Sequence, residues 1–126
     1  GANSILDGVS ISLPAVTRSL KLQKRAAKEG FDWKKPEDTL KKVREELNEL
    51  SVEMKARNKK KIREELGDLL FSCINLSRKL GLDTETVIRE SNRKFEKRFK
   101  KMEKQMNKKS LKWELKNLEK EWQNSK

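Results

Sequence analysis

Four carboxylates in two matched pairs are the residues best placed to do chemistry. The stretches "EELNEL" at 45–50 and "EELGDL" at 64–69 repeat one plan, with Glu46 three residues before Glu49 and Glu65 three before Asp68. On a helix, residues three or four apart share a face. Two unit charges ~4 Å apart repel by ~4 kcal/mol at an effective dielectric of 20. Gathered carboxylates therefore need protons or a cation. The chain has no histidine and a single cysteine, Cys73, so histidine triads, histidine–metal sites and an internal disulfide are excluded. An all-oxygen set suits a hard divalent ion, Mg²⁺ or Mn²⁺ in its place. Magnesium commonly accompanies phosphate, and 32 Lys and Arg residues supply cations for an anionic partner. Yet 41% of residues are charged, and acids three apart are also the ordinary surface of such a chain.

The elements that must position these acids are marked by their punctuation. A first helix is expected from about Leu13 to Glu29, opened by Pro14 and stopped by Gly30. A second starts near Pro36, with Glu37 and Asp38 in its first turn, and runs to about Arg57. After a turn at 58–60, a third spans about Lys61 to Leu80 and ends at Gly81. Asp83 or Thr84 can cap a fourth, reaching about Met106, and Ser110 can cap a last helix from Leu111. Stripes at three-to-four spacing run along these helices: Leu40, Val43, Leu47, Leu50 and Met54 on the second, and Ile62, Leu66, Leu69, Cys73, Leu76 and Leu80 on the third. Stripes demand covering partners, so the expected fold is an all-α bundle of about five helices, completed by dimerisation. Cys73 falls within its stripe and reads as core.

At about 100° per residue, Glu65 lies roughly 60° from the centre of its stripe, and Lys61, Glu65 and Asp68 form one column beside it. Glu46 borders its own stripe. Glu49 turns farther out and is the weakest member by this geometry. An antiparallel hairpin of the second and third helices lets the two columns face each other.

Length and composition bound the rest. A chain of 126 residues is one domain with a modest core. No apolar run nears the ~20 residues of a membrane span. The lone cysteine suits a reducing cytoplasm. Gly1 and Ala2 have the look of a tag remnant.

The setting "KVREELNEL…KIREELGDLLF" resembles the MazG nucleotide pyrophosphohydrolases. "LPAVTRSLKLQKRAAKEGFDW" at 13–33, "SNRKFEKRF" at 91–99 and "LEKEWQNSK" at 118–126 resemble that family's first helix and turn, fourth-helix motif and C-terminal end. The resemblance makes residues 13–126 the pyrophosphohydrolase domain and 1–12 a preceding segment, as in the C-terminal half of two-domain members. It implies hydrolysis of nucleoside triphosphates to monophosphate and pyrophosphate by an all-α dimer or dimer of dimers. It assigns Glu46, Glu49, Glu65 and Asp68 to Mg²⁺ and restores Glu49 to the set. Lys42, Glu45, Lys61 and Glu64 would surround the nucleotide, with Glu45, Glu64 and Lys61 as the catalytic candidates. Lys94 and Arg98 would contact phosphates, with Trp122 and Lys126 closing the site. Trp33 and Trp113 read as packing residues, while Asn92 is open between a buried register-setting group and a site residue. Two rivals are a basic helical nucleic-acid-binding module and a catalytically silent oligomerisation domain. The first leaves the paired acids unexplained.

Overall fold

The computed structural model describes residues 3–126. Gly1 and Ala2, expected as a tag remnant, lie outside the described residues. Five helices follow in order: α1 (Ala15–Lys28), α2 (Pro36–Ala56), α3 (Lys59–Lys79), α4 (Thr84–Lys108) and α5 (Leu115–Asn124). Among the described residues there is no strand, and the fold is all-α as expected. Two compact units divide the described residues, the first ending at Thr84 and the second spanning Glu85–Lys126.

Pro36 opens α2 where its missing N–H costs nothing, and Glu37 and Asp38 oppose the positive end of the helix dipole. Four helices stop in the same way. After α1 the N–H of Phe31 reaches the carbonyl of Ala26 and that of Gly30 reaches Ala27. The same bond pair joins Asn58 to Glu53 and Arg57 to Met54, Leu82 to Ser77 and Gly81 to Arg78, and Leu111 to Met106 and Ser110 to Asn107. This double closure needs a left-handed residue at its corner. Gly30 (φ 93°) and Gly81 (φ 73°) adopt it without strain, whereas Arg57 (φ 55°) and Ser110 (φ 50°) carry a side chain into it.

Two boundaries differ from expectation for this reason. Ser110 closes α4 rather than capping α5, so α5 begins four residues late, after Glu114. Asn58, expected in a turn, is itself the cap of α3, its side-chain oxygen accepting from the Lys61 N–H at 3.2 Å. Only Arg57 and Asn58 therefore separate α2 from α3, a tight antiparallel hairpin.

In the first unit α3 packs chiefly on α2, and α1 packs on α3. The loop after α1 is tied to the end of α3 by Asp32, which accepts from Arg78 at 2.5 Å and Lys79 at 3.1 Å. Arg78 is the main reason that the Asp32 carboxyl is held down to about 2; Lys79 adds to it against partial burial. Residues 3–8 form turns fastened to α1, since Arg25 donates to the carbonyls of Ile5 (3.3 Å) and Asp7 (2.6 Å). In the second unit Met102 and Met106 of α4 are fully buried. The first unit buries mainly polar side chains, Gln23, Thr39, Glu46, Ser72 and Thr84. Its apolar stripes stay half open, with Leu47 52% and Leu66 44% exposed. Cys73, expected in the core, is exposed. The periodicity that marked it is real, but the chain's own helices do not cover that face.

Candidate active site

The hairpin sets the site. α2 carries Lys42, Glu45, Glu46 and Glu49, and α3 carries Lys61, Glu64, Glu65 and Asp68. In an antiparallel pair with so short a link, residues equally distant from the turn lie level. Glu49 stands eight residues before Arg57 and Glu65 eight after it, so these two oppose each other. Ligand oxygens of Glu46, Glu49 and Glu65 all lie within 4.8 Å of one another. Asp68, the expected fourth member, is exposed and outside that group. The helical-wheel ranking thus errs on Glu49, because the wheel holds each helix's faces but not the level at which the two helices meet.

Burial makes this cluster costly. Glu46 is 5% exposed, and its Oε1 pairs with the Lys42 ammonium at 2.9 Å. Its Oε2 is buried without a hydrogen-bond partner, and so is Oε2 of Glu65. Desolvation, then the facing Glu49 and Glu46 carboxylates, push Glu65 up to about 7. Lys42 is raised in turn, foremost by its bond to Glu46 and further by the charges of Glu45 and Glu49. Buried carboxylate oxygens that lack any donor are what a hard cation satisfies, so the donor set fits a divalent ion held by oxygen.

The remaining candidates divide. Glu45 is exposed and joins Lys42, Lys41, Asp38, Trp33 and Asp32 around a groove of about 310 Å³ beside the cluster. Lys61 and Glu64 are exposed on the first turns of α3. In the second unit Arg98 lies 3.9 Å from the centre of the Trp122 ring and donates twice to the Trp122 carbonyl, at 3.0 and 2.7 Å. Those two expected residues do meet, while Lys94 and Lys126 are exposed. Asn92 is exposed beside Phe95 and Phe99, so it is not a buried register-setting group. Trp33, read as packing, is 41% exposed and lines the groove. Sequence spacing missed Asp32 and its partners Arg78 and Lys79. They are 46 and 47 positions away, and no periodic signal links them.

Residues 34–103, more than half of the chain, match the MazG nucleotide pyrophosphohydrolase domain. The chain belongs to this family. The matched stretch contains the acid pairs, Lys94 and Arg98, and leaves Trp122 and Lys126 beyond its end. Among relatives, a nucleoside triphosphate pyrophosphohydrolase of Escherichia coli (strain K12) is 39% identical over 129 residues, covering 98% of this chain and 49% of the relative. A nucleoside triphosphate pyrophosphohydrolase/pyrophosphatase MazG of Thermotoga maritima is 45% identical over 87 residues, covering 69% of this chain and 33% of that protein. The MazG-type chain described here thus spans about half the length of the first relative and a third of the second. No helix among its described residues is long and apolar enough to cross a membrane.

Proposed function

We propose that this chain hydrolyses nucleoside triphosphates, ribo or deoxyribo, to nucleoside monophosphate and pyrophosphate, with a divalent ion at Glu46, Glu49 and Glu65. The carrying observation is the pair of buried, unpartnered carboxylate oxygens on Glu46 and Glu65 within a three-acid cluster. A cluster that only decorated a surface would be solvated. Mg²⁺, or Mn²⁺ in its place, supplies charge neutralisation on phosphoryl oxygens and a more acidic water. Asp68 stands one turn beyond Glu65 as a further carboxylate for the same ion or for its water shell.

The chain's own residues then have separate tasks. Lys42 holds one oxygen of Glu46 in place through their ion pair at 2.9 Å. Lys41 and Lys42 give the 310 Å³ groove a positive wall for phosphate, and Lys61 adds a cation on the facing helix. Glu45 and Glu64, both exposed, are free to accept the proton of the attacking water at the α-phosphorus. From the resemblance we further propose phosphate-contacting roles for Lys94 and Arg98 and substrate-binding roles for Trp122 and Lys126. We place these functions in a single domain over residues 13–126, preceded by the segment 1–12.

The active form is proposed to be a dimer or dimer of dimers. Leu47, Leu66, Leu70 and Phe71 on the hairpin are each 44–56% exposed, more apolar surface than a monomer of this size comfortably leaves in water.

The test is pyrophosphate release from a panel of nucleoside triphosphates with Mg²⁺, Mn²⁺ or chelator. Wild type should release pyrophosphate only with the metal, and Glu65→Gln should lose the activity by orders of magnitude. Metal-independent turnover, or an active Glu65→Gln, would remove the cluster from the mechanism.

A further inference from the structure

Helix α4 carries a charge pattern that nucleotide hydrolysis does not use. Its apolar side turns to its own unit: Met102 and Met106 are buried there, Phe95 meets Trp122, and Phe99 meets Trp113. The opposite side is basic. At about 100° per residue, Arg93, Lys97, Lys101, Lys104 and Lys108 fall within an arc of about 80°, centred about 170° from the apolar side. Lys94 and Arg98, given to phosphate contacts above, lie outside that arc, and so do the acids of this stretch, Glu96 and Glu103. All five cations are exposed. The two ion pairs within α4 engage other residues, Arg89 with Glu85 and Lys100 with Glu96, and leave the five without a carboxylate partner among the described residues. Like charges three and four residues apart repel and weaken the helix that carries them. An anion lying along the stripe removes that cost.

We infer that this face of α4 docks duplex DNA along its phosphate backbone, without reading sequence. The inference concerns a function beyond hydrolysis and does not rest on it. The five cations span about 22 Å of helix axis, and over that length duplex DNA presents ~13 phosphate charges. Lysine and arginine contacts to phosphate position a protein on a duplex and carry no sequence information. The major groove of B-form DNA, ~12 Å wide, admits an α-helix, whereas that of duplex RNA is deep and narrow. Single strands are held largely by stacking on aromatic side chains, and no aromatic residue lies within the arc. A helix lying on a membrane needs an apolar face to bury in it. The apolar side of α4 is engaged with Trp113 and Trp122 instead.

The experiment is fluorescence anisotropy of a labelled DNA duplex of mixed sequence, titrated with the full chain in the absence of Mg²⁺. Binding should weaken about 20-fold between ~50 and ~100 mM salt, the slope that about five released counterions give. Replacing Arg93, Lys97 and Lys104 together by Gln should lower the affinity at ~50 mM salt more than about tenfold and cut that salt effect to about fourfold. Lys101→Gln with Lys108→Gln, the remaining pair, should act in the same direction to a smaller extent. Lys21→Gln, Lys24→Gln and Lys28→Gln together remove the same charge from α1 and should change the affinity less than about threefold. The DNA duplex should also be bound more tightly than single-stranded DNA, duplex RNA or vesicles rich in phosphatidylserine. No duplex binding at ~50 mM salt, an unchanged salt effect in the triple α4 variant, or an equal loss in the α1 variant overturns the inference. Tighter binding of any of the three other probes overturns the choice of duplex DNA as the occupant.

Discussion

Glu65 concentrates the electrostatics of the site, and its titration has a sign that can be worked out. Its carboxyl is raised to about 7 in the fold against 4.5 ordinarily, so the folded chain holds a proton that the unfolded chain has released between those values. Without metal, its contribution is most favourable below pH ~4.5 and is lost as pH rises through 7. Metal competes with that proton. Mg²⁺ affinity should therefore climb about tenfold per pH unit below 7 and level off above it, with about one proton released per ion bound at pH 6. Calorimetry in buffers of different ionisation enthalpy measures both, and a pH-independent affinity between 5 and 7 would count against the cluster as ligand. Asp32 behaves oppositely. Held at about 2 by Arg78 and Lys79, it contributes stability above pH ~4 that disappears as pH falls towards 2. Asp32→Asn should cost ~1–2 kcal/mol at pH 7 in a denaturant titration, with a smaller cost near pH 2. The residue types of the site were legible because four acids repeat one spacing. Which three of them converge was not, because Glu49 joins only through the level set by the two-residue link of the hairpin. Asp32 gave no signal at all, since what matters about it is its pair of partners at the far end of α3.

Helices, at the next scale, were legible because each end carries a local chemical instruction. Pro36, Gly30 and Gly81 act through their own backbone restrictions, and each helix starts or stops where they stand. Arg57 and Ser110 perform the glycine's task without its freedom, which is why the start of α5 was misplaced by four residues. This gives a clean test. Arg57→Gly should stabilise the chain by ~0.5–1 kcal/mol, since the left-handed corner no longer bears a Cβ, offset partly by a more flexible unfolded state. Gly30→Ala, at φ 93°, should destabilise by ~1 kcal/mol or more. Chemical denaturation read by circular dichroism checks both, and a destabilised Arg57→Gly would mean that this side chain does more than turn a corner.

The whole molecule poses the question that periodicity raised and the single chain leaves open, which is what covers the stripes. Cys73 was read as core from its place among Leu69 and Leu76, yet it is exposed, together with much of Leu47, Leu66 and Phe71. Pattern records which face is apolar, not whose helix lies on it. A dimer should appear by light scattering at micromolar concentration, and Leu66→Lys should shift it to monomer and lower its melting temperature. A compact, stable monomer would leave the exposed stripes without their proposed role. The most direct measurement of the chemistry itself is turnover in ¹⁸O-labelled water with Mg²⁺, followed by mass spectrometry of both products. Attack at the α-phosphorus places the label in the nucleoside monophosphate, leaves pyrophosphate unlabelled, and should vanish in Glu46→Gln. Label in pyrophosphate or orthophosphate, or undiminished labelling in Glu46→Gln, would contradict hydrolysis at this acid cluster.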